Sequence, residues 1–507
     1  MATSDAVDLG RISRVVGYKI TKGNFQNITP NLPQRIAVLA EANTANQAGL
    51  SLDPVEITTL SQAATLYGYG SPIYNIVRIL RPTVGGGVGS VPVVVYPQLA
   101  AGGSVAEVLD ITPTGTATDN ATHTVLIGGR ENVEGQSYNF VVAKSDTVAL
   151  ITAKITDIIN GVLGSPMTCA DATTKATLTA KWTGVTSNAI TVEILTNGKP
   201  AGMSYAVAST ATGAGVPAVT TSLNKFGSDW NTIVINSYNS ESAVLNELEA
   251  FNGIPDPTTP TGRYSSIIVK PFIALFGNTD KTGWESIMAA RTLEVTNSIC
   301  PAPSSKGQPM EAAANMAVLF SNQANNNPHL DVAAKFYPDM PTASDWSGSD
   351  MREYSQRDSL VKLGVTTVDF VQNKFQVQDF ITSYRPDGET PPQFRYCRNI
   401  MLDLNVFFGY HLLEEIHVVD HAIASDTDVV NVSKVVKPKQ WKSVVRAYAE
   451  QLSQKGLIAD APFMQDSIVV SLSTSNPDRL ETFFRYKRSG FARISSTTAE
   501  AGFNFGE

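Results

Sequence analysis

The C-terminal stretch, residues 439–507, constrains the fold most, because a helix pattern there precedes two strand patterns and a strand-like tail. Residues 439–455 place apolar side chains at helical spacing and end beside Gly456, which suits a helix C-cap. Residues 466–474 and 480–488 alternate apolar and polar side chains, which predicts two sheet strands. The tail after Gly490 has no further partner in the sequence, so we expect it to pair with another molecule.

The N-terminus carries a similar segment. Residues 11–22 place apolar side chains between basic ones, and Gly23 and a proline-bearing stretch at 27–33 follow them. This order predicts an arm and a linker that precede the folded body.

Composition excludes several classes of protein. The 507 residues, 43% hydrophobic and 17% charged, are enough for more than one domain with a large core. The 38 basic and 46 acidic residues give a net charge of −8, which argues against a nucleic-acid binder. Three scattered cysteines indicate a reducing compartment and no disulfide framework. The chain lacks a signal-peptide pattern and an uninterrupted apolar run of about eighteen residues, so neither export nor membrane insertion is expected.

The first part of the chain has the pattern of an α/β domain. Apolar runs at 35–42 and 91–96 fit buried strands, and Ser71-Pro72 fits the start of a helix. Residues 53–56 read as a capping box with proline at the first helical position, which predicts one more helix start.

A Thr-, Ala-, Gly- and Ser-rich region from about Pro97 to Gly227 then interrupts this pattern with short alternating runs that indicate strands. The α/β pattern resumes with a strand at 232–236 and helices at 240–251 and 281–295. The predicted class is therefore α/β and α+β multidomain: an α/β body interrupted by a β-rich insertion, then a C-terminal α+β domain with extended arms at both ends. The predicted domains are an N-terminal arm and linker at 1–33, a body at 34–97 and 228–345, an insertion at 98–227, a C-terminal domain at 346–490 and a C-terminal arm at 491–507.

Three local features resemble parts of enzyme sites. His417 and His421 have the i, i+4 spacing of a metal pair on a helix, but the glutamate of a His-Glu-x-x-His protease motif is missing. The glycine run at 85–89 lacks the Lys-Ser/Thr of a phosphate loop, and Cys397 lies between Arg395 and Arg398 without an adjacent base. We therefore predict no catalytic, cofactor-binding or metal-ligating residue, and keep a metal-dependent hydrolase using His417 and His421 as an alternative.

The second half of the chain carries a more extensive pattern. Residues 357–369 read RDSLVKLGVTTVD, residues 375–377 read FQV, and residues 381–388 read ITSYRPDG. This pattern resembles the tail sheath proteins of contractile-tailed bacteriophages, especially the Mu-like group. In that family a helix ending in Leu-x-x-Gly-[Ile/Val]-[Ser/Thr] enters a hairpin whose second strand carries Ile-Thr-Thr-Tyr. Gln378-Asp379 depart from the pattern, because relatives often carry Glu-Arg there.

The resemblance covers residues 265–507 well and the first hundred residues loosely. It implies a non-enzymatic subunit without cofactors that polymerises as stacked hexameric rings around a tail tube. It also implies contraction that drives the tube through the host envelope for genome ejection, with the tail tube, baseplate and tail terminator proteins as partners. The implied location is the sheath of the virion tail, after assembly in the host cytoplasm, with the insertion facing outward. A non-contractile virion protein, such as a capsid or baseplate component, is a further alternative.

The resemblance also implies strand exchange, in which the arms of one subunit extend the C-terminal sheet of its neighbours. The corresponding arm residues here are Ile12, Val15, Val16, Tyr18, Ile20, Phe491, Arg493 and Ile494. The acceptor strands would present Val470, Leu472, Phe484 and Tyr486. If the alternation holds, Ile494 enters the apolar side of the acceptor sheet and Arg493 stays on the wetter side.

Overall fold

The computed structural model describes residues 29–390 and 392–502, and these residues form helices and several separate sheets. The mixed α/β class agrees with the prediction. The predicted arm residues Ile12, Val15, Val16, Tyr18 and Ile20 lie outside the described residues. Within the described ranges, no helix combines the length and apolar content that crossing a membrane requires.

The first part of the body alternates short strands and helices. Its elements are β1 Ile36–Glu41, β2 Val55–Glu56, α1 Leu60–Tyr67, α2 Pro72–Leu80 and β3 Val93–Gln98. Helix α2 begins as predicted, with Ser71 accepting a hydrogen bond from the Tyr74 amide and proline in the first turn.

The predicted helix start at residues 53–56 is wrong. Val55 and Glu56 form strand β2, which pairs antiparallel with β3 at the sheet edge. The helix begins later, at Leu60, where the side chain of Thr59 caps it by accepting from the Gln62 amide. A β-branched valine beside an open sheet edge favours pairing over the helix that the capping-box pattern indicates.

Residues 99–219, most of the predicted insertion, contain one α-helix and many short strands. They are β4 Val108–Gly115, β5 Ala121–Ile127, β6 Asn132–Val133, β7 Gln136–Ser137, β8 Asn139–Val142, α3 Val148–Gly161, β9 Met167–Asp171, β10 Ala176–Ala180, β11 Val192–Leu195 and β12 Met203–Ala211. A four-stranded sheet has the order β12-β4-β10-β9, and a three-stranded sheet has the order β11-β5-β8.

The chain then returns to the body. The elements are α4 Thr220–Asn224, β13 Ile233–Asn236, α5 Ser242–Asn252, β14 Ile273–Asn278, α6 Trp284–Met288, β15 Asn297–Pro301 and α7 Pro309–Asn326. Helix α6 is much shorter than the helix predicted at 281–295, because the residues that follow it turn back into strand β15.

The body is built on one six-stranded sheet of order β15-β14-β13-β1-β3-β2. Strands β3 and β13, which flank the insertion in sequence, both pair parallel with the central strand β1. Alternate residues of β1 point into different apolar clusters, Ile36 and Val38 on one face and Ala37 and Leu39 on the other. Burial of both faces is typical of a parallel sheet covered by helices and explains the continuous apolar runs in the sequence.

The C-terminal part of the chain packs in two places: α8, β16 and β17 join the large apolar cluster of the body, and the later elements pack around α9 and α10. Its elements are α8 Tyr354–Lys362, β16 Thr367–Val371, β17 Lys374–Asp379, α9 Cys397–His417, β18 Ala422–Ile423, β19 Val435–Val436, α10 Pro438–Gln454, β20 Ile458–Ala459, α11 Ala461–Ser467, β21 Val469–Leu472, β22 Leu480–Phe483 and β23 Lys487–Arg488. The apolar residues of α10 recur at helical spacing, and Trp441, Val445, Tyr448 and Leu452 are all buried.

Candidate functional site at the C-terminal sheet

Strands β21 and β22 form a small antiparallel sheet at the surface of the C-terminal unit. Val469 lies opposite Phe483, and Leu472 lies opposite Leu480. Among the described residues this sheet has only these two strands, so each strand keeps one edge without a backbone partner. Such edges carry N–H and C=O groups that an added strand can satisfy.

The two faces of this sheet differ in burial. Val470, Leu480, Phe484 and Tyr486 are half-buried against the apolar cluster of α9 and α10. Leu472, the fourth predicted acceptor residue, is half-buried as well. On the opposite face, Val469 and Phe483 remain 57% and 54% exposed. The alternation predicted from the sequence is therefore present.

Polar and aromatic contacts fix the sheet on the helices. The indole Nε1 of Trp441 donates to Oγ1 of Thr482 at 3.0 Å. The ring of Tyr410 lies 5.2 Å from the ring of Phe484 and 5.7 Å from the ring of Trp441, measured between centroids. These contacts join α9, α10 and β22, so the sheet of β21 and β22 is fixed on its helical support.

After β22 the chain is attached to Asp403 of α9. Tyr486 donates its hydroxyl to Oδ1 of Asp403 at 2.8 Å, and Arg488 makes bonds of 2.7 and 2.6 Å to the two carboxylate oxygens. Burial, together with the nearby Asp403 carboxylate, raises the pKa of Tyr486 well above its usual value. The phenol therefore remains a proton donor to this carboxylate at neutral pH.

The start of the C-terminal arm lies against its own chain. Arg398 donates to the Ser489 carbonyl at 2.7 Å and lies 5.8 Å from the centroid of the Phe491 ring. Arg493 forms ion pairs with Asp331 and Asp379. Ile494 is 88% exposed, and residues 491–502 are not assigned to a strand. In the single chain, every described residue of the arm from Ile494 onward is exposed.

The N-terminal linker reaches the same unit. The side chain of Lys455, just after α10, donates to the Thr29 carbonyl, and the Leu32 amide donates to Oδ1 of Asn405 on α9 at 2.8 Å. Asn31 donates to the Asn325 carbonyl at 3.1 Å. The segment that leads to the predicted N-terminal arm is therefore bound to α7, to α9 and to the end of α10.

The two histidines of the enzyme alternative do not share a helix face. His417 is the last residue of α9, and its ring lies 6.3 Å from the ring of Trp441. The chain then turns through Asp420, which has a φ of +60°, and His421 bonds the Val419 carbonyl at 2.8 Å. In the part of the chain that the structure describes, no group of three or more His, Cys, Asp or Glu side chains could hold a metal ion.

Cys397 is completely buried, and this burial raises the pKa of its thiol well above the usual value. The neighbouring arginines therefore do not activate it as a nucleophile.

Comparison with known proteins identifies one informative relative. No protein-family model matches the chain. The Mu-like prophage FluMu tail sheath protein of Haemophilus influenzae is 22% identical over 438 residues, which cover 84% of this chain and 85% of the relative. The resemblance to tail sheath proteins is confirmed.

Solved sheath structures are also similar to this chain. The sheath tail protein of Desulfitobacterium hafniense is 10% identical with a TM-score of 0.43, covering 93% of this chain and 100% of that chain. The contracted sheath complex of the PVC extracellular contractile injection system is 10% identical with a TM-score of 0.46, covering 97% of this chain and 99% of that chain. At these scores neither structure defines the arrangement of domains in this chain.

Sequence reasoning missed the polar residues that hold the chain between β22 and the arm. Asp331, Asp379, Arg398 and Asp403 are far from the arm in sequence and belong to no local motif. Asp379 was the one residue that the sequence could have pointed to. It occupies a position where related sheath proteins often carry arginine, so a different charge contact was to be expected there.

Proposed function

We propose that this protein is the structural subunit of a contractile tail sheath, polymerising as stacked hexameric rings around a tail tube. In this role it contracts to drive the tube through the host envelope. The observation that carries the proposal is the similarity to a tail sheath protein along 84% of the chain. The role requires assembly and rigid-body movement and no covalent chemistry from the subunit.

Subunits would be joined by strand exchange at the sheet of β21 and β22. The free edges of this sheet would receive an N-terminal arm carrying Ile12, Val15, Val16, Tyr18 and Ile20, and the C-terminal arm that begins with Phe491, Arg493 and Ile494. The half-buried side chains Val470, Leu472, Phe484 and Tyr486 would line the acceptor face. The attachment of both terminal segments to α9 supports the proposal, because each arm then leaves the subunit from the helix on which this sheet packs.

The energetics favour ordering of the arms by assembly. An added strand with about six backbone hydrogen bonds gains roughly 0.5–1.5 kcal/mol net for each bond. Fixing each arm residue costs about 1–2 kcal/mol of backbone entropy. The backbone terms alone therefore do not favour ordering of one arm, and side-chain burial against repeated neighbours has to supply the difference in a lattice.

The partners and location follow from the same role. The subunit would contact further copies of itself, the tail tube, the baseplate and the tail terminator, and would reside in the virion tail after assembly in the host cytoplasm. Residues 98–227 would form an outward-facing domain on a body made of residues 34–97 and 228–345. Residues 346–490 would form the assembling domain, flanked by arms at 1–33 and 491–507.

Electron microscopy of the purified full-length protein tests this function. Hollow helical cylinders are expected once the protein concentration is raised. Closed shells would indicate a capsid protein, and isolated flat assemblies a baseplate protein. Protein that remains monomeric at every concentration and salt condition tested would contradict the sheath proposal.

A further inference from the structure

The start of the C-terminal arm makes an unusually dense set of contacts around Arg493. Its guanidinium pairs with Asp331 and, at 3.2 Å, with Asp379. It also lies 3.7 Å from the centroid of the Tyr396 ring and 5.2 Å from that of Phe491. A planar cation between two carboxylates and above an aromatic face has a single preferred orientation.

The acidic pair needs this arginine. The Asp331 side chain is only 1% exposed, and the Asp379 side chain is largely buried. Burial raises the pKa of Asp379, and the neighbouring Asp331 raises it further while Arg493 opposes the change. Loss of Arg493 would leave two buried carboxylates side by side, so the arm start is bound through charge as well as packing.

The contacts follow α9 in a consistent direction. Arg488 bonds Asp403, Ser489 bonds Arg398, and Arg493 covers Tyr396, the residue just before the helix. Each step lies nearer to the N-terminus of α9. The chain's own acceptor sheet packs at the other end, where Tyr410 contacts Phe484.

The distance along the helix is substantial. From residue 396 to residue 410, the rise of an α-helix gives a separation of about 20 Å. The exposed segment from Ile494 onward therefore starts well away from the edges of β21 and β22 in the same chain. A groove of about 450 Å³ lies beneath this exit point, lined by α8, β17 and residues 491–494.

We propose that Arg493 is a positioning residue: by binding Asp331 and Asp379 over Tyr396, it directs the C-terminal arm away from its own acceptor sheet and toward a second copy. This inference rests on the proposed sheath function. Without the clamp, defined as Arg493, Asp331, Asp379 and Tyr396, the arm can fold back and occupy the acceptor edge of its own chain. Such self-pairing would compete with assembly.

The clamp can be measured in the free full-length chain. Spin labels are placed at Ser355→Cys on α8 and Ser496→Cys on the arm, since the three natural cysteines are buried. Pulsed electron paramagnetic resonance should give a narrow distance distribution for the otherwise unchanged chain and a broad one for Arg493→Gln. Arg493→Lys should give an intermediate width, because it keeps the charge and loses the planar two-carboxylate geometry. An equally narrow distribution for Arg493→Gln would overturn the proposal.

The same variants are then tested for assembly by sedimentation. Arg493→Gln should raise the critical concentration for polymerisation about tenfold, which corresponds to roughly 1.4 kcal/mol. Arg352→Gln removes an exposed pair with Glu353 and serves as the matched control, with no change expected. A released arm combined with normal polymerisation would show that holding the arm at Arg493 does not direct it toward a second copy, and would also overturn the proposal.

Two further outcomes remain informative. If Arg493→Gln lowers the melting temperature, Asp379→Asn is used as the test variant instead. It removes the less buried carboxylate and should still broaden the distribution of distances between the spin labels. If the unaltered protein never polymerises, the sheath function fails, and the distance distribution alone decides whether the clamp exists.

Discussion

Arg130 of the insertion and Glu311 of α7 lie 3.2 Å apart, from Nη2 to Oε2, and both side chains are largely buried. Arg78 on α2 bonds the same glutamate at 2.9 Å, and Asp339 bonds both arginines. Burial alone would lower the pKa of Arg130, but Glu311 and Asp339 raise it above its usual value. This network joins the insertion to the body, and the largest apolar cluster also spans both parts.

Arg130→Ala should destabilise the protein strongly, because it leaves Glu311 buried with one cation fewer. Removing one member of a buried ion pair typically costs about 3–5 kcal/mol. The measurement is the midpoint of urea unfolding, with tryptophan fluorescence as the signal. Lys199→Ala, which breaks an exposed pair with Asp119, is the control and should leave the midpoint unchanged. Equal midpoints for both variants would mean that the network does not hold the insertion on the body.

Glu41 should make stability fall as pH rises. It lies at the end of β1 with Oε1 lacking a hydrogen-bond partner among the described residues, and burial raises its pKa from 4.5 to about 8. The folded chain therefore binds one proton more than the unfolded chain between these pH values, so the free energy of unfolding decreases across this window.

Glu41→Gln removes this dependence, and the melting temperature of the variant minus that of the natural chain should grow from pH 5 to pH 8.5. Each pKa unit corresponds to about 1.4 kcal/mol. The exposed Glu131 provides the control, and Glu131→Gln should give a constant difference over the same range. A constant difference for Glu41→Gln as well would show that Glu41 is ionised in the folded protein.

Local periodicity was sufficient to predict several elements. Helix α10 and strands β21 and β22 lie where apolar residues recur at helical or alternating spacing. Each of these elements buries one face, to which Trp441, Val470 and Phe484 belong, so the spacing alone identifies it. The wrong prediction at Val55 shows the limit of local patterns. This residue forms a strand because the edge of β3 is free to pair with it, and that edge is not visible in the local sequence.

The contacts at the candidate site lie further beyond local prediction. Arg493 and Asp331 are 162 positions apart, and Arg488 and Asp403 are 85 positions apart. Only the path of the folded chain along α9 brings these charges together. The sequence therefore predicted a C-terminal arm and its residues, but the place where the arm leaves the folded chain could be read only from the structure.

Deletion of residues 1–21 should leave a folded protein that no longer polymerises. The linker contacts through Thr29, Asn31 and Leu32 remain, so the melting temperature should change little. Deletion of residues 1–9 keeps the segment from Ile12 to Ile20 and is the control, for which cylinders are expected. Unchanged cylinders after the longer deletion would argue against strand exchange by the N-terminal arm.

Ile494→Asp should abolish polymer formation without affecting the folded subunit. The side chain is 88% exposed in the single chain, so an aspartate there remains hydrated and the melting temperature should stay the same. In a strand added to another copy, the same carboxylate would enter an apolar site beside residues such as Val470 and Phe484, at a cost of several kcal/mol. Ser495→Asp places the same charge on the opposite face of that strand and should reduce assembly far less. If both variants assemble equally well, Ile494 does not face the acceptor sheet; if Ile494→Asp instead lowers the subunit melting temperature, the arm packs on its own chain.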